Sequence, residues 1–218
     1  MRFDAVLFDV DGTVIDTTEA IINSLRKVLM KYTGVKHSDE ELYVSMGITG
    51  KMTMDMFGVR ESDEAIELWD KYFFELYDRV SFFPGIPEML YGVRDMGCPM
   101  GLVTSKTKRE LSAEKILSGI LSGFDVVICS DDTRRPKPEP DPVLKTAESL
   151  GIEAGDALYV GDSLYDLMAA RSAGMPFGVA MWGSKNPERL LELNPEYIFH
   201  DPKEIVDIIR EDAVYGNY

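Results

Sequence analysis

The chain has 218 residues, 45% hydrophobic and 28% charged, with 23 Lys and Arg against 38 Asp and Glu for a formal net charge of −15. That length fits one domain, or one domain with a small insert, and a core that needs no staples. The composition excludes a disordered or collagen-like chain, and so acidic a surface argues against nucleic acid and membranes as partners.

Residues 4–9 are a short apolar run between acids and read as a buried strand. From about 16 to 81 the periodicity is helical. Ile21, Leu25, Val28, Leu29 and Tyr32 recur at helical spacing, Ser38 with Glu41 makes a capping box, and Ser62 opens a third helix through Ile66, Trp69 and Phe73. Pro84-Gly85 punctuates the return. Four more apolar runs follow at 100–104, 125–129, 157–161 and 176–180. Helical faces separate them, one of Leu111, Lys115, Ile116 and Ile120 and another of Val143, Leu144, Ala147 and Leu150. Strands alternating with helices predict an α/β fold, a Rossmann-like three-layer core whose parallel sheet is covered on both faces. The helical block reads as a small cap inserted after the first strand. The expected division is a core of 1–15 and 82–218 and a cap of 16–81.

Ligands of open parallel sheets bind at the carboxyl ends of the strands, so the residues after each strand carry the chemistry. Asp9 and Asp11 stand two apart as the first strand ends, where period-two geometry lets both approach one space. Asp162 and Asp166 stand four apart, the spacing of one helical face. Two such pairs on one rim suit a hard cation such as Mg2+. Thr104 offers a hydroxyl, and the Ser105 amide is expected to head the next helix, a ready anion site. Lys137, between two prolines, supplies a point charge. Further cations cluster at 106–109 and 134–137. These are the parts of phosphoryl transfer: an attacking carboxylate, a proton-handling carboxylate, and a metal and a lysine that neutralise the phosphate.

The motifs 9–14 (DVDGTV), Thr104, Lys137 and 161–166 (GDSLYD) occur in an order that resembles the haloacid dehalogenase superfamily of phosphohydrolases. The helical insert is similar to the subclass I cap, and the resemblance runs to phosphoglycolate phosphatase-like members. It implies that Asp9 is the nucleophile and forms an aspartyl-phosphate. Asp11 protonates the leaving group and then activates water, Thr104 and Ser105 hold the phosphoryl group, and Lys137 neutralises it. Asp9, the Asp11 carbonyl and Asp162 bind Mg2+ with support from Asp166. The implied activity is a Mg2+-dependent phosphatase acting on a small phosphomonoester. Inorganic pyrophosphatase and a β-phosphoglucomutase-like sugar phosphomutase are the enzyme alternatives. The mutase is disfavoured because Gly161 stands where those members carry Glu. A receiver-like phospho-switch is the non-enzyme alternative, disfavoured by the cap and by Asp11.

In the cap, 46–51 (MGITGK) is the loop expected to face the substrate, with Gly47 and Lys51 as candidate contacts. Its faint likeness to a P-loop fails at Ser45 and Met52. Met46, Met52, Met54 and Met56 are expected to pack inside the cap. Trp182 lies near the same rim, and His37 and His200 receive no role. Cys98 and Cys129 form neither a disulfide framework nor a zinc pattern and are expected to pack as apolar groups. Early charges leave no signal-peptide stretch, so a cytoplasmic monomer or homodimer acting on a small-molecule phosphate is expected.

Overall fold

The structure, a computed structural model, describes residues 1–215, with side chains through Arg210. In chain order it runs β1 (Ala5–Phe8), β2 (Ile15–Asp16), α1 (Thr18–Thr33), α2 (Asp39–Leu42), α3 (Gly50–Met56), α4 (Ser62–Glu75), β3 (Ser81–Phe82) and α5 (Ile86–Asp95). It continues through β4 (Met100–Val103), α6 (Lys108–Ala113), β5 (Val126–Ile128), α7 (Asp141–Leu150), β6 (Ala157–Gly161) and α8 (Leu164–Ala173). β7 (Phe177–Ala180), α9 (Pro187–Glu192), β8 (Tyr197–Phe199) and α10 (Lys203–Tyr215) complete it. Among the described residues no helix is long and apolar enough to cross a membrane.

Six strands form one parallel sheet in the order β5-β4-β1-β6-β7-β8. β1 is wholly buried because alternate residues enter opposite helical layers. Val6 and Phe8 join a cluster with Ile86, Met89 and Val93 of α5 and Ile205 and Ile209 of α10. Ala5 and Leu7 join the other, with Val143 and Ala147 of α7 and Leu167 and Ala170 of α8. The α/β sandwich expected from the alternation is therefore the observed fold. Strand order reverses beside β1, which sets the ends of β4, β1 and β6 next to one another at the rim.

The helical insert hangs from the two-residue ladder of β2 and β3, Ile15 opposite Phe82 and Asp16 opposite Ser81. It has a core of its own, in which Leu25, Leu29, Leu42 and Met54 are fully buried. Trp69 on α4 donates from Nε1 to Ser24 Oγ of α1 at 2.9 Å, tying its two longest helices. Met46 and Met54 pack there, but Met56 is half exposed. The Ser38–Glu41 capping box forms.

One expectation needs correction. The face drawn through Leu111, Lys115, Ile116 and Ile120 is not one helix, because α6 stops at Ala113 and two 3₁₀ turns follow. Glu114 leaves helical geometry at ψ 87° and buries its carboxylate against Lys106. The edge strand β8 rests on an apolar run of only three residues, shorter than the runs that mark the other strands of the sheet. Cys98 and Cys129 are buried and unpaired, and burial pushes each thiol up to about 11, so both stay inert.

β4 passes so close to α7 that a Cβ on Gly101 would lie 2.5 Å from Thr146 Cγ2 and 3.0 Å from Leu7 Cγ. Gly101→Val should cost about 1–3 kcal/mol by overpacking. A lower urea midpoint at unchanged slope would register that loss.

Candidate active site

Each cluster read from the sequence sits where a strand ends. Asp9 follows β1, its amide donating to the Val160 carbonyl at 2.9 Å, and is 2% exposed. Asp162 follows β6, and Thr104 follows β4 with its amide on the Ile128 carbonyl at 3.0 Å. Lys137 reaches in from the loop before α7 and is 1% exposed.

Lys137 organises the centre. Its Nζ donates to Asp9 Oδ1 and to Asp166 Oδ1, each at 2.6 Å, and lies 3.2 Å from the Tyr159 hydroxyl. Tyr159 in turn donates to Asp166 Oδ1 at 2.7 Å. Burial works against the ammonium, but Asp166 and Asp9 outweigh it and hold Lys137 above the usual lysine range. Asp9 Oδ2 is buried without a hydrogen-bond partner. Carboxylate oxygens of Asp9, Asp162 and Asp166 all lie within 4.8 Å of one another. Asp162 is pushed well up by burial and then by Asp9 and Asp166, while Thr13 donates from Oγ1 to its Oδ1 at 3.1 Å. A cluster of oxygen donors with one orphaned oxygen fits a hard cation such as Mg2+.

The geometry departs from the expected placement at three points. Asp162 and Asp166 do not share a helical face. Asp162 precedes the N-cap Ser163, and Asp166 is the third helical residue, turned back to accept from the Ser163 amide. Asp9 and Asp11 both line the cleft, as their spacing predicts, but they differ in their partners. The Asp11 carboxylate lies outside the three-carboxylate group and accepts at Oδ1 from Lys106 Nζ at 2.7 Å and Thr17 Oγ1 at 2.8 Å. Ser105 does not head a helix, because α6 begins at Lys108 behind the N-cap Thr107. It lies in a bend where Thr104 Oγ1 accepts from the Lys106 amide at 3.1 Å. Lys51 is exposed and does not line the cleft, whereas Gly47 does.

Gly47 locks the insert to the rim. Its carbonyl accepts from Ser105 Oγ at 2.7 Å, its φ is +95°, and a Cβ there would lie 2.6 Å from Ser163 Oγ. On the other side Gly12, at φ +89°, leaves room for the Asp162 carboxylate, which a Cβ would meet at 2.2 Å. Trp182 packs as a support, donating from Nε1 to the Thr13 carbonyl at 2.9 Å.

Reading by motif missed Tyr159, Thr13, Lys106 and Glu114. A tyrosine inside a fully buried strand is the one advance sign of a partnered polar tip. Lys106 was seen only as part of a basic cluster. It bridges Asp11 to the buried Glu114, at 3.2 Å to Oε1, and these two carboxylates hold its ammonium above the usual range despite burial.

The chain's affinities agree with this geometry. A haloacid dehalogenase-like hydrolase family model matches residues 6–180. Pyrophosphatase PpaX of Bacillus velezensis is 31% identical over 208 residues, 95% of this chain and 96% of its own. The crystal structure of a candidate phosphoglycolate phosphatase from Lactobacillus plantarum matches with a TM-score of 0.84 at 27% identity, covering 95% of this chain and 99% of that one. β-Phosphoglucomutase of Clostridium difficile shares the fold, with a TM-score of 0.80 at 22% identity over 96% of each chain.

Two expectations concern stability. Lys137→Ala leaves two buried carboxylates without their cation and should cost about 3–5 kcal/mol, read as a drop in the denaturant midpoint. Burial pushes the Asp9 carboxyl up to about 7, opposed by Lys137 and aided by Asp166 and Asp11. The folded chain thus keeps that proton to about pH 7, while the unfolded chain releases it near 3.8. With metal ions chelated, the stability from this proton is complete below 3.8 and is lost as pH rises through 7. Folding free energy should therefore fall more steeply across that window in the wild type than in Asp9→Asn, as urea titrations would measure.

Proposed function

The chain belongs to the haloacid dehalogenase-like hydrolases, and on that footing we propose that it is a Mg2+-dependent phosphatase that cleaves a small phosphomonoester through an aspartyl-phosphate on Asp9. The observation that carries this reading is the state of Asp9: one oxygen fixed by Lys137, the other buried with no partner. A carboxylate half-satisfied at the floor of a cleft is suited to meet a cation and an electrophilic phosphorus.

Asp9 and Asp162 would hold Mg2+, with the Asp11 carbonyl beside them. Asp166 would act behind them, since both its oxygens already accept hydrogen bonds. When bound, the ion offsets phosphate charge that otherwise opposes attack by a carboxylate. Asp9 attacks phosphorus, and the bond from phosphorus to the alcohol oxygen breaks. Asp11 gives that oxygen a proton and then takes one from the water that hydrolyses the acyl phosphate. Lys106 and Thr17 occupy Oδ1 of Asp11, which leaves Oδ2 to carry the proton. Thr104 and Ser105 orient the phosphoryl group, and Lys137 offsets its charge throughout. The helical insert serves as the cap that excludes water.

A second reading, hydrolysis of inorganic pyrophosphate, is favoured by the similarity to PpaX along nearly the whole chain. One experiment tests both: phosphate release with Mg2+ from a panel of small phosphate esters and pyrophosphate. Asp9→Asn should lower the rate by about 1000-fold or more. EDTA should abolish it, and added Mg2+ should restore it. Full activity in Asp9→Asn, or in EDTA, would overturn the mechanism.

A further inference from the structure

The cleft beyond the phosphoryl site has a composition that speaks to the rest of the substrate. It lies between the insert and the rim of the sheet. One wall is α4, which presents Trp69, Phe73 and Phe74 with Asp70 among them. The facing wall carries Glu110 of α6 and Glu114 just after it. Together with Asp9 and Asp11 this makes five carboxylates. Among the described residues that line the cleft, Lys106 is the only cation.

That cation is already committed. Lys106 is shared by Asp11 and Glu114, and its Nζ sits 5.2 Å from the centre of the Phe73 ring. Arg109 pairs with Asp70 but is two-thirds exposed and does not line the cleft. Glu110 is held through one oxygen, which accepts from the Thr107 amide and hydroxyl at 2.6 and 2.7 Å. Glu114 is 2% exposed; Lys106 holds its Oε1 and the Tyr77 hydroxyl lies beside the carboxylate, while its Oε2 has no hydrogen-bond partner. A buried carboxylate oxygen without a donor, in a cleft with acids and aromatic faces, calls for a donor from the ligand. An anionic leaving group would meet Asp70, Glu110 and Glu114 with no uncommitted ammonium to receive it.

We infer that the leaving group of the substrate carries a protonated amine, so that the chain acts on aminoalkyl or amino-sugar phosphates in preference to anionic ones. Acids with aromatic faces bind ammonium through charge, hydrogen bonds and the ring quadrupole. The inference rests on the phosphatase reading and narrows it, setting the pyrophosphate alternative aside.

The test compares kcat/KM of the full chain with Mg2+ for 2-aminoethyl phosphate, propyl phosphate, phosphoglycolate and pyrophosphate, and for glucosamine 6-phosphate against glucose 6-phosphate. The amine should lead its neutral counterpart by about tenfold or more, and the anionic compounds should trail. Asp70→Asn should bring the amine-to-neutral ratio toward one. Glu110→Gln, which keeps the oxygen that caps α6, should lower the same ratio and serves if the first variant does not fold. A lead for phosphoglycolate or pyrophosphate, or a ratio that neither variant lowers, overturns the inference. Either outcome leaves the phosphatase reading standing, provided turnover is lost in Asp9→Asn. Absence of turnover on every compound removes both.

Discussion

One buried ammonium holds the centre of this molecule together. Lys137 is sealed from water among carboxylates that could not otherwise be gathered at 4.8 Å. Each pairing lends the other its stability: Asp9 and Asp166 keep the lysine charged, and the lysine keeps two acids from repelling each other out of the core. Tyr159 closes the circuit from the sheet side and Ser163 from the helix side. Asp162 stands apart, bonded only to Thr13 within this group, and burial, then Asp9 and Asp166, push its carboxyl well up.

The sheet explains why so few residues suffice. β4, β1 and β6 lie side by side, so residues far apart in sequence reach one rim without long loops. Lys137 and Asp9 are 128 positions apart and still meet at 2.6 Å. The insert adds what the sheet lacks, a second wall. Gly47 fastens that wall to Ser105 on one side and lies against Ser163 on the other. On the proposed function, the chemistry falls to the core and the choice of what is bound beside it to the insert and to α6.

Much of this was legible in the sequence because the fold converts order into place. Acids and hydroxyls directly after apolar runs fall on the rim once the strands are parallel, whatever the details. Asp9, Thr104 and Asp162 fall into place that way, and Lys137 lies farther along the loop after β5. What resisted reading was the direction in which a side chain turns. Asp166 has the spacing of a helical pair with Asp162 but serves a capping box, because it falls three residues after Ser163. The Asp11 carboxylate lines the same cleft as Asp9 but is held there by Lys106, 95 positions distant. Lys106 in turn depends on Glu114, which interrupts a helix that periodicity alone would have continued. Long-range charge pairing has no period, so it leaves no pattern to count.

The span of sequence that Lys137 draws together also sets an order of assembly. Asp9 is made early, but its cation comes 128 residues later, and Asp162 and Asp166 later still. A turn even farther on, at Gly183, presses against the Gly12 carbonyl so closely that a Cβ there would lie 1.6 Å from it. The insert, by contrast, has its own core and lies wholly between β2 and β3. On the ribosome every residue of the insert's core is therefore made while the rim still lacks most of its parts. A chain stalled before Lys137 would hold every residue of the insert's core while Asp9 still lacked its cation.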